Sequence, residues 1–272
     1  MTDHPTPSGT YGDDLQLALD IADRCDAVTL GRFTDRSFTV AHKHDNTEVT
    51  DADRDTERIA RDHLGAHRPD DSILGEEHDD VVRDSRRRWV IDPIDGTSGF
   101  ARGIPVWATL IALESDDEVV VSVISAPALG RRWWATRGGG SHVRHIDGTE
   151  RTCQVSAIDD LAEAQVSVTI NDGWAEAGCV AALTDLMLAA RRSRALGDFW
   201  QHCLVAEGAL DIAVDAVGLH PYDVAAPRLI VTEAGGRLSD MHGADTHRSP
   251  TAISTNGVLH DLVLARLGTP IP

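Results

Sequence analysis

Positive charge is what this sequence has least of. Lysine and arginine total 25 against 44 aspartates and glutamates, a formal net charge of −19. That balance excludes partners selected by basic faces, namely nucleic acid and anionic membrane surfaces. An acidic chain that handles a phosphate ester must draw positive charge from elsewhere, and metal ions are one source. Lysine itself is nearly absent: Lys43 stands alone among 24 arginines, and read by composition it is a chance residue on a surface loop. The four cysteines (Cys25, Cys153, Cys179 and Cys203) form no C-x-x-C pair, and the opening MTDHPTPSGT lacks the apolar stretch of a leader. Reduced thiols in a cytoplasmic protein are the expectation. No apolar run approaches a membrane span, and there is neither an internal repeat nor a low-complexity tract.

What is present is an ordinary hydrophobic content of 42% over 272 residues, enough for one large domain or two packed halves. Leu15, Leu17, Leu19, Ile21 and Ala22 suggest an amphipathic helix over residues 11–33. A polar turn or hairpin at 36–49 precedes a helix N-capped by Thr50 and running to His67. Short strands follow at 72–74 and 89–91, the second ending at Asp92. Pro93 and Gly96 then predict a turn over 92–97 leading into a short helix. Runs at 106–113, 119–125 and 132–135 leave no room for helices and predict an antiparallel meander. The glycines at 138–140 and the polar residues to Glu150 suggest a boundary between an N-terminal α+β half (1–145) and a C-terminal α/β half (146–272). The second half alternates strands at 166–170, 194–196, 210–214 and 252–255 with helices at 174–190, 199–207, 224–233 and 258–267.

The stretch WVIDPIDGTSGF (89–100) carries the chemistry. Asp92 and Asp95 lie at the mouth of a strand, costly neighbours unless a cation sits between them. Glu76, in GEE at 75–77, follows the preceding strand. Asp223, in HPYDVAAPRLIVTEAGG, opens a helix that Gly235-Gly236 ends; taken alone it reads as a cap. Acids gathered at strand ends and helix starts build sites in α/β sheets, and an all-oxygen set suits hard cations such as Mg²⁺. Gly96-Thr97 complements them, because a helix opened by glycine and a hydroxyl residue offers N–H groups to an anion. The H-K-H at 42–44 has no convergent partners and reads as solvated loop histidines rather than a transition-metal site.

With these motifs, G-E-E at 75–77, D-P-I-D-G-T at 92–97 and Y-D-V-A-A…E-A-G-G over 222–236, the sequence resembles the inositol monophosphatase superfamily of Mg²⁺-dependent phosphatases. The resemblance covers most of the chain. It implies the family's layered αβαβα sandwich, with the site between the halves. It implies Glu76, Asp92 and the Ile94 carbonyl around one metal, and Asp92, Asp95 and Asp223 around a second. A third ion is held loosely near Glu76; Mg²⁺ is expected, with Mn²⁺ an alternative. Asp53 would pair with Thr97 to orient and deprotonate a metal-activated water, and Lys43 would fall at the family's lysine on a loop. Tyr222 replaces the usual tryptophan before the last ligand, and Asp215 stands one residue too far from Asp223 to match the family's substrate-contacting acid. A homodimer acting on a small phosphate monoester is implied.

Within the superfamily, GFARGIPVWATLIAL after the DGT motif and LGDFW…VAEGALDIAVD at 196–215 are most similar to the histidinol-phosphatase branch. The expected reaction is L-histidinol phosphate to L-histidinol, a step of histidine biosynthesis. A cationic amine on the substrate calls for an acid beyond the metals. Arg194 and Asp198 join Asp95, Gly96, Thr97 and Asp223 as candidate substrate contacts; Asp198 reads equally well as a helix N-cap. The alternatives are inositol 1-phosphate or broad sugar and nucleotide substrates. A haloacid-dehalogenase mechanism is excluded, because that motif is D-x-D-G-T after a first strand, whereas here it is D-x-x-D-G-T at residue 92. A non-catalytic binding member would be betrayed by loss of Asp53 or Thr97, and both are present.

Overall fold

The computed structural model describes residues 10–43 and 47–268; His44, one arm of the H-K-H triplet, lies outside them. Helix α1 (Gly12–Asp35) is followed by a hairpin of β1 (Val40–His42) and β2 (Glu48–Thr50) and by α2 (Asp51–His67). Strands β3 (Ser72–Gly75) and β4 (Arg87–Asp95) come next, then the short α3 (Thr97–Arg102). Strands β5 (Ala108–Ser115), β6 (Glu118–Ala126), β7 (Arg131–Thr136), β8 (Gly140–His145) and β9 (Glu150–Thr152) complete a seven-stranded sheet in chain order. It is antiparallel except where β3 pairs with β4. The glycine run at 138–140 thus turns a hairpin, and this sheet runs on to Thr152.

The remaining elements are β10 (Gln165–Val168), α4 (Asp172–Glu176), α5 (Val180–Ala189), β11 (Arg192–Arg194), α6 (Asp198–Ala206), β12 (Ile212–Val214), α7 (Pro221–Glu233), β13 (Arg237–Ser239), β14 (Ile253–Thr255) and α8 (His260–Leu267). Their strands form a five-stranded mixed sheet, ordered β11-β10-β12-β14-β13. The single helix expected over 174–190 is two, because Gly178 adopts a left-handed φ of 71° that a helix cannot pass through.

Period-two alternation sorts the strand residues between layers. Trp89, Ile91, Ile111 and Leu113 face α1 and α2, whereas Val90, Leu110 and Ala112 face α6 and α7 on the other side. The same middle layer takes Ala213 from the second sheet, whose Val166, Val168, Ile212 and Val214 pack instead against α4, α5 and α8. The result is five layers, αβαβα, as the family resemblance implies. All four cysteines are free and buried, and burial raises the thiols of Cys25, Cys153 (to about 11) and Cys203, so none of those three is primed as a nucleophile. No described helix is long and apolar enough to cross a membrane.

Candidate active site

In a regular strand residues three apart point to opposite faces, so Asp92 and Asp95 would diverge. They do not, because β4 bulges between them. Asp92 pairs with Leu110 and Asp95 with Ala108, so Pro93 and Ile94 both oppose Thr109. Proline, without an N–H to give the ladder, is tolerated at such a bulge, and Thr109 Oγ1 donates to the Pro93 carbonyl at 2.8 Å. The extra residue returns Asp95 to the face of Asp92, toward α6 and α7. There Asp223, third residue of α7, meets them. One carboxylate oxygen from each of the three lies within 4.8 Å of the others.

Two of the three carboxylates are anchored from outside the cluster, Asp95 and Asp223. Asp95 Oδ2 accepts from the Phe199 N–H at the start of α6, 2.7 Å. Asp223 Oδ2 accepts from the His220 N–H at 2.6 Å; it occupies the third helical position, with His220 as the N-cap, so the cap reading is displaced by three residues. Asp92 is 1% exposed, and its Oδ1 has no hydrogen-bond partner. A buried carboxylate oxygen without a donor, ringed by like charge, is the signature of a place for a cation. The oxygen-only donor set fits a hard divalent ion.

The electrostatics agree. Burial, then Glu76, Asp95 and Asp223, push the Asp92 carboxyl well above its ordinary range. Burial, then Asp198 and Asp223, do the same to Asp95. Asp223 rises to about 7, chiefly by burial. Glu76 is raised by burial too, against the opposing pull of Lys43.

Lys43 is not a chance surface residue. Its Nζ sits 2.8 Å from Glu76 Oε1 and 2.6 Å from Glu77 Oε1. Burial works to lower the ammonium, but the hydrogen bonds to those two acids outweigh it and hold Lys43 above the usual lysine range. Glu77, the last residue of the GEE motif, is only 3% exposed in its side chain, and its N–H donates to Glu57 Oε2 at 2.7 Å. The Glu57 carboxylate fills the space above Gly75: a Cβ there would stand 2.0 Å from its Oε1. The glycine of GEE is therefore required by close approach.

On the opposite side, Thr97 Oγ1 lies 3.1 Å from Asp53 Oδ1 and 3.0 Å from the Ile94 carbonyl oxygen. Asp53 is fully buried, and its Oδ2 accepts from the Thr50 N–H at 2.8 Å and the Thr50 hydroxyl at 2.5 Å. Burial raises its carboxyl to about 6 despite those bonds. Gly96 caps α3 with φ 87°, and a Cβ on it would meet the Val106 carbonyl at 2.9 Å, so only glycine turns the chain here. No side chain caps α3.

Among the substrate candidates the outcomes differ. Asp198 is the first residue of α6, Gly197 taking the N-cap. Its φ of 49° is unusual for an aspartate, its Oδ2 faces Gly96, and its surface is open to solvent. Burial of its carboxyl group and then repulsion by Asp215 lift it to about 6. Arg194 is exposed; its guanidinium donates to the Ser193 carbonyl at 2.6 Å, and it pairs with no carboxylate among the described residues. Asp215 does reach the cluster's field, acting on Asp95, Asp198 and Asp223. Both its oxygens are engaged, with His202 and with the Ala216 N–H. His202 left no signal in the sequence beyond residue type, and the G-E-E motif that holds Glu77 did not announce its partners Lys43 and Glu57, because these contacts join segments far apart along the chain.

An all-oxygen acidic cluster on a bulged strand and a helix start, beside a hydroxyl–carboxylate pair, is a donor set suited to metal-assisted hydrolysis, and the relatives of this chain are phosphoric monoester hydrolases. The chain belongs to the inositol monophosphatase family, whose sequence profile matches residues 13–269. It is 46% identical over 256 residues to a histidinol-phosphatase of Mycobacterium tuberculosis, covering 94% of this chain and 98% of that one. A histidinol-phosphatase of Streptomyces coelicolor is 43% identical over 261 residues, 94% and 97% of the two chains. The fold is that of the SuhB extragenic suppressor protein of Bartonella henselae, with TM-score 0.86 and 28% identity over 95% of this chain and all of that one.

Proposed function

We propose that the chain hydrolyses L-histidinol phosphate to L-histidinol with Mg²⁺, in the cytoplasm, as a homodimer. The observation that carries the substrate is Asp198, an acid placed at the rim of the cluster beside Gly96, where a phosphate's alcohol portion would lie. Its charge suits an amine better than a polyol. The similarity to two histidinol-phosphatases supports the same reading. Glu76, Asp92 and the Ile94 carbonyl would hold one ion, and Asp92, Asp95 and Asp223 another. Bound there, Mg²⁺ supplies positive charge to the phosphoryl oxygens and acidifies water. Asp53 accepts the Thr97 hydroxyl proton, which leaves Thr97 Oγ1 turned to hold a water by a lone pair. Asp53 is the base: the water passes a proton to Thr97 Oγ1 as Thr97 passes its own to Asp53 Oδ1. Lys43 neutralises Glu76 and Glu77 and holds Glu76 toward the cluster.

The test is phosphate release with Mg²⁺, comparing kcat/KM for histidinol phosphate, inositol 1-phosphate and a nucleotide 3′-phosphate. A preference of about a hundredfold, roughly 2.7 kcal/mol of transition-state discrimination, is expected for the first. Equal rates would retract the pathway and leave a general small-molecule phosphatase, a reading to which a 32% identical inositol-1-monophosphatase of Mesorhizobium japonicum lends weight. Asp198→Asn is expected to raise KM for histidinol phosphate about tenfold, the size of one lost charge-assisted hydrogen bond, and to leave KM for inositol 1-phosphate nearly unchanged. Equal increases for both substrates would remove Asp198 as the amine's partner.

A further inference from the structure

Helix α6 carries two groups at its first turn that face the site: the Phe199 N–H, which holds Asp95, and the Asp198 side chain. One turn on from Asp198, His202 is 2% exposed and bonded at both ring nitrogens. Its Nε2 lies 2.9 Å from Asp215 Oδ2, and its Nδ1 lies 2.6 Å from Ser254 Oγ. The ring thus faces a carboxylate oxygen with Nε2 and the serine hydroxyl with Nδ1. Ser254 is fully buried on β14, and Asp215 is 6% exposed just past β12. Asp215 Oδ1 in turn accepts from the Ala216 N–H at 2.7 Å.

The three side chains thus form one buried chain from β14 through α6 to the end of β12. It runs across the boundary between the second sheet and the middle helical layer. The neighbouring contact reinforces the seat, since Gln201 Oε1 accepts from Ser167 Oγ of β10 at 2.8 Å. Apolar packing alone is tolerant of small slides along a helix axis, whereas a histidine bonded at both nitrogens admits one position. The Phe199–Asp95 bond is 2.7 Å long and leaves no slack for such a slide.

We propose that His202 is a positioning residue for the metal centre. It seats α6 on the second sheet and so sets the Phe199 N–H that orients Asp95. The inference rests on the reading of the acidic cluster as a Mg²⁺ site and deepens it. It assigns part of the cluster's metal affinity to a side chain that touches no metal ligand.

The experiment is calorimetric titration of Mg²⁺ into the chelator-stripped full-length chain, for wild type, His202→Ala, His202→Gln and Ser254→Ala, with melting temperatures alongside. Loss of the ring is expected to weaken Mg²⁺ binding about tenfold, the lower end of what changes around metal ligands cost. His202→Gln, which still reaches Asp215 with an N–H, should recover most of that loss, and Ser254→Ala should fall between it and wild type. At saturating Mg²⁺ the alanine variant's kcat should return to within about threefold of wild type. A folded His202→Ala with a wild-type Mg²⁺ Kd overturns the proposal, even if its melting temperature falls. Should that variant fail to fold, a wild-type Kd in both other variants overturns it instead. Wild-type protein that binds no Mg²⁺ overturns this proposal and the metal reading together. Wild type that binds Mg²⁺ but ignores histidinol phosphate overturns only the substrate, because the titration contains none.

Discussion

Asp92→Asn is expected to make the metal-free protein more stable while it abolishes turnover. Asp92 is buried, one of its oxygens lacks a donor, and Glu76, Asp95 and Asp223 all act to repel its charge. Removing that charge relieves the cluster, and the new amide donates to the neighbouring carboxylates. The melting temperature of chelator-treated protein should rise by roughly 2–4 °C, as one to two kcal/mol does in a chain of this size. The rise produced by Mg²⁺ in the wild type should vanish, and kcat should fall about 1,000-fold or more, some 4 kcal/mol of transition-state stabilisation. Most substitutions of buried residues act in the opposite sense on stability, which makes the sign itself diagnostic. A lower melting temperature in chelator, with the Mg²⁺ response intact, would sink the assignment of Asp92 as a bridging ligand.

The same cluster sets a pH dependence. Asp53, Asp198 and Asp223 have folded pKa values raised to about 6, 6 and 7, above an ordinary aspartate. Between pH 4 and 7 the folded, metal-free protein therefore binds more protons than the unfolded chain, and its stability falls as pH rises through that window. His260, lowered to about 4 mainly by burial, works in the other direction, but it is common to both metal states. The stabilisation by Mg²⁺, taken as the difference between loaded and stripped protein, should accordingly grow from pH 5 to pH 7. Differential scanning calorimetry at saturating Mg²⁺ and in chelator reads it directly; a difference that is flat in pH would contradict the cluster's electrostatics.

The second large effect falls on Asp53. This carboxylate has two duties on its two oxygens: Oδ2 closes a capping box with Thr50 at the start of α2, and Oδ1 meets Thr97. Asp53→Asn keeps an oxygen for the Thr50 N–H and turns an amide toward Thr97. The melting temperature should hold within a few degrees while kcat drops about 100- to 10,000-fold, the range of a lost general base. Asp53→Ala should lose the same activity and in addition about 1 kcal/mol of stability from the cap. Thr97→Val should mimic the asparagine variant, lowering kcat with little change in Mg²⁺ affinity. If Asp53→Asn keeps a rate within a few-fold of wild type, the pair is a structural cap and the base lies elsewhere.

The two variants separate what one residue type was able to announce from what needed neighbours. D-P-I-D-G-T, the spacing to Y-D-V-A-A and the acids after each strand were legible because ligand chemistry depends on residue type and order. The strands of the meander were legible as near-continuous apolar runs, which suit a sheet covered on both faces; the five layers themselves came from the family resemblance. Thr50 was readable as a cap, since its partner lies three residues on.

Other features were decided only by tertiary structure. By period alone Asp92 and Asp95 point apart; the bulge that reunites them is a count of residues against a partner strand, fifteen or so positions away, that no local pattern encodes. The resemblance had placed Lys43 at the family's lysine, but its contacts with Glu76 and Glu77 exist only because the β1–β2 hairpin brings it there. Asp215 had the wrong spacing for a substrate contact and proved to be tied inward to His202 and Ala216. Arg194, close in sequence to the cleft, is turned out to solvent on an edge strand. In each case the chain itself determined which groups are available, through chemistry that is local. Which of them meet was set by register and layer packing between segments as far apart as residues 92 and 223, and that information exists only once the core has closed.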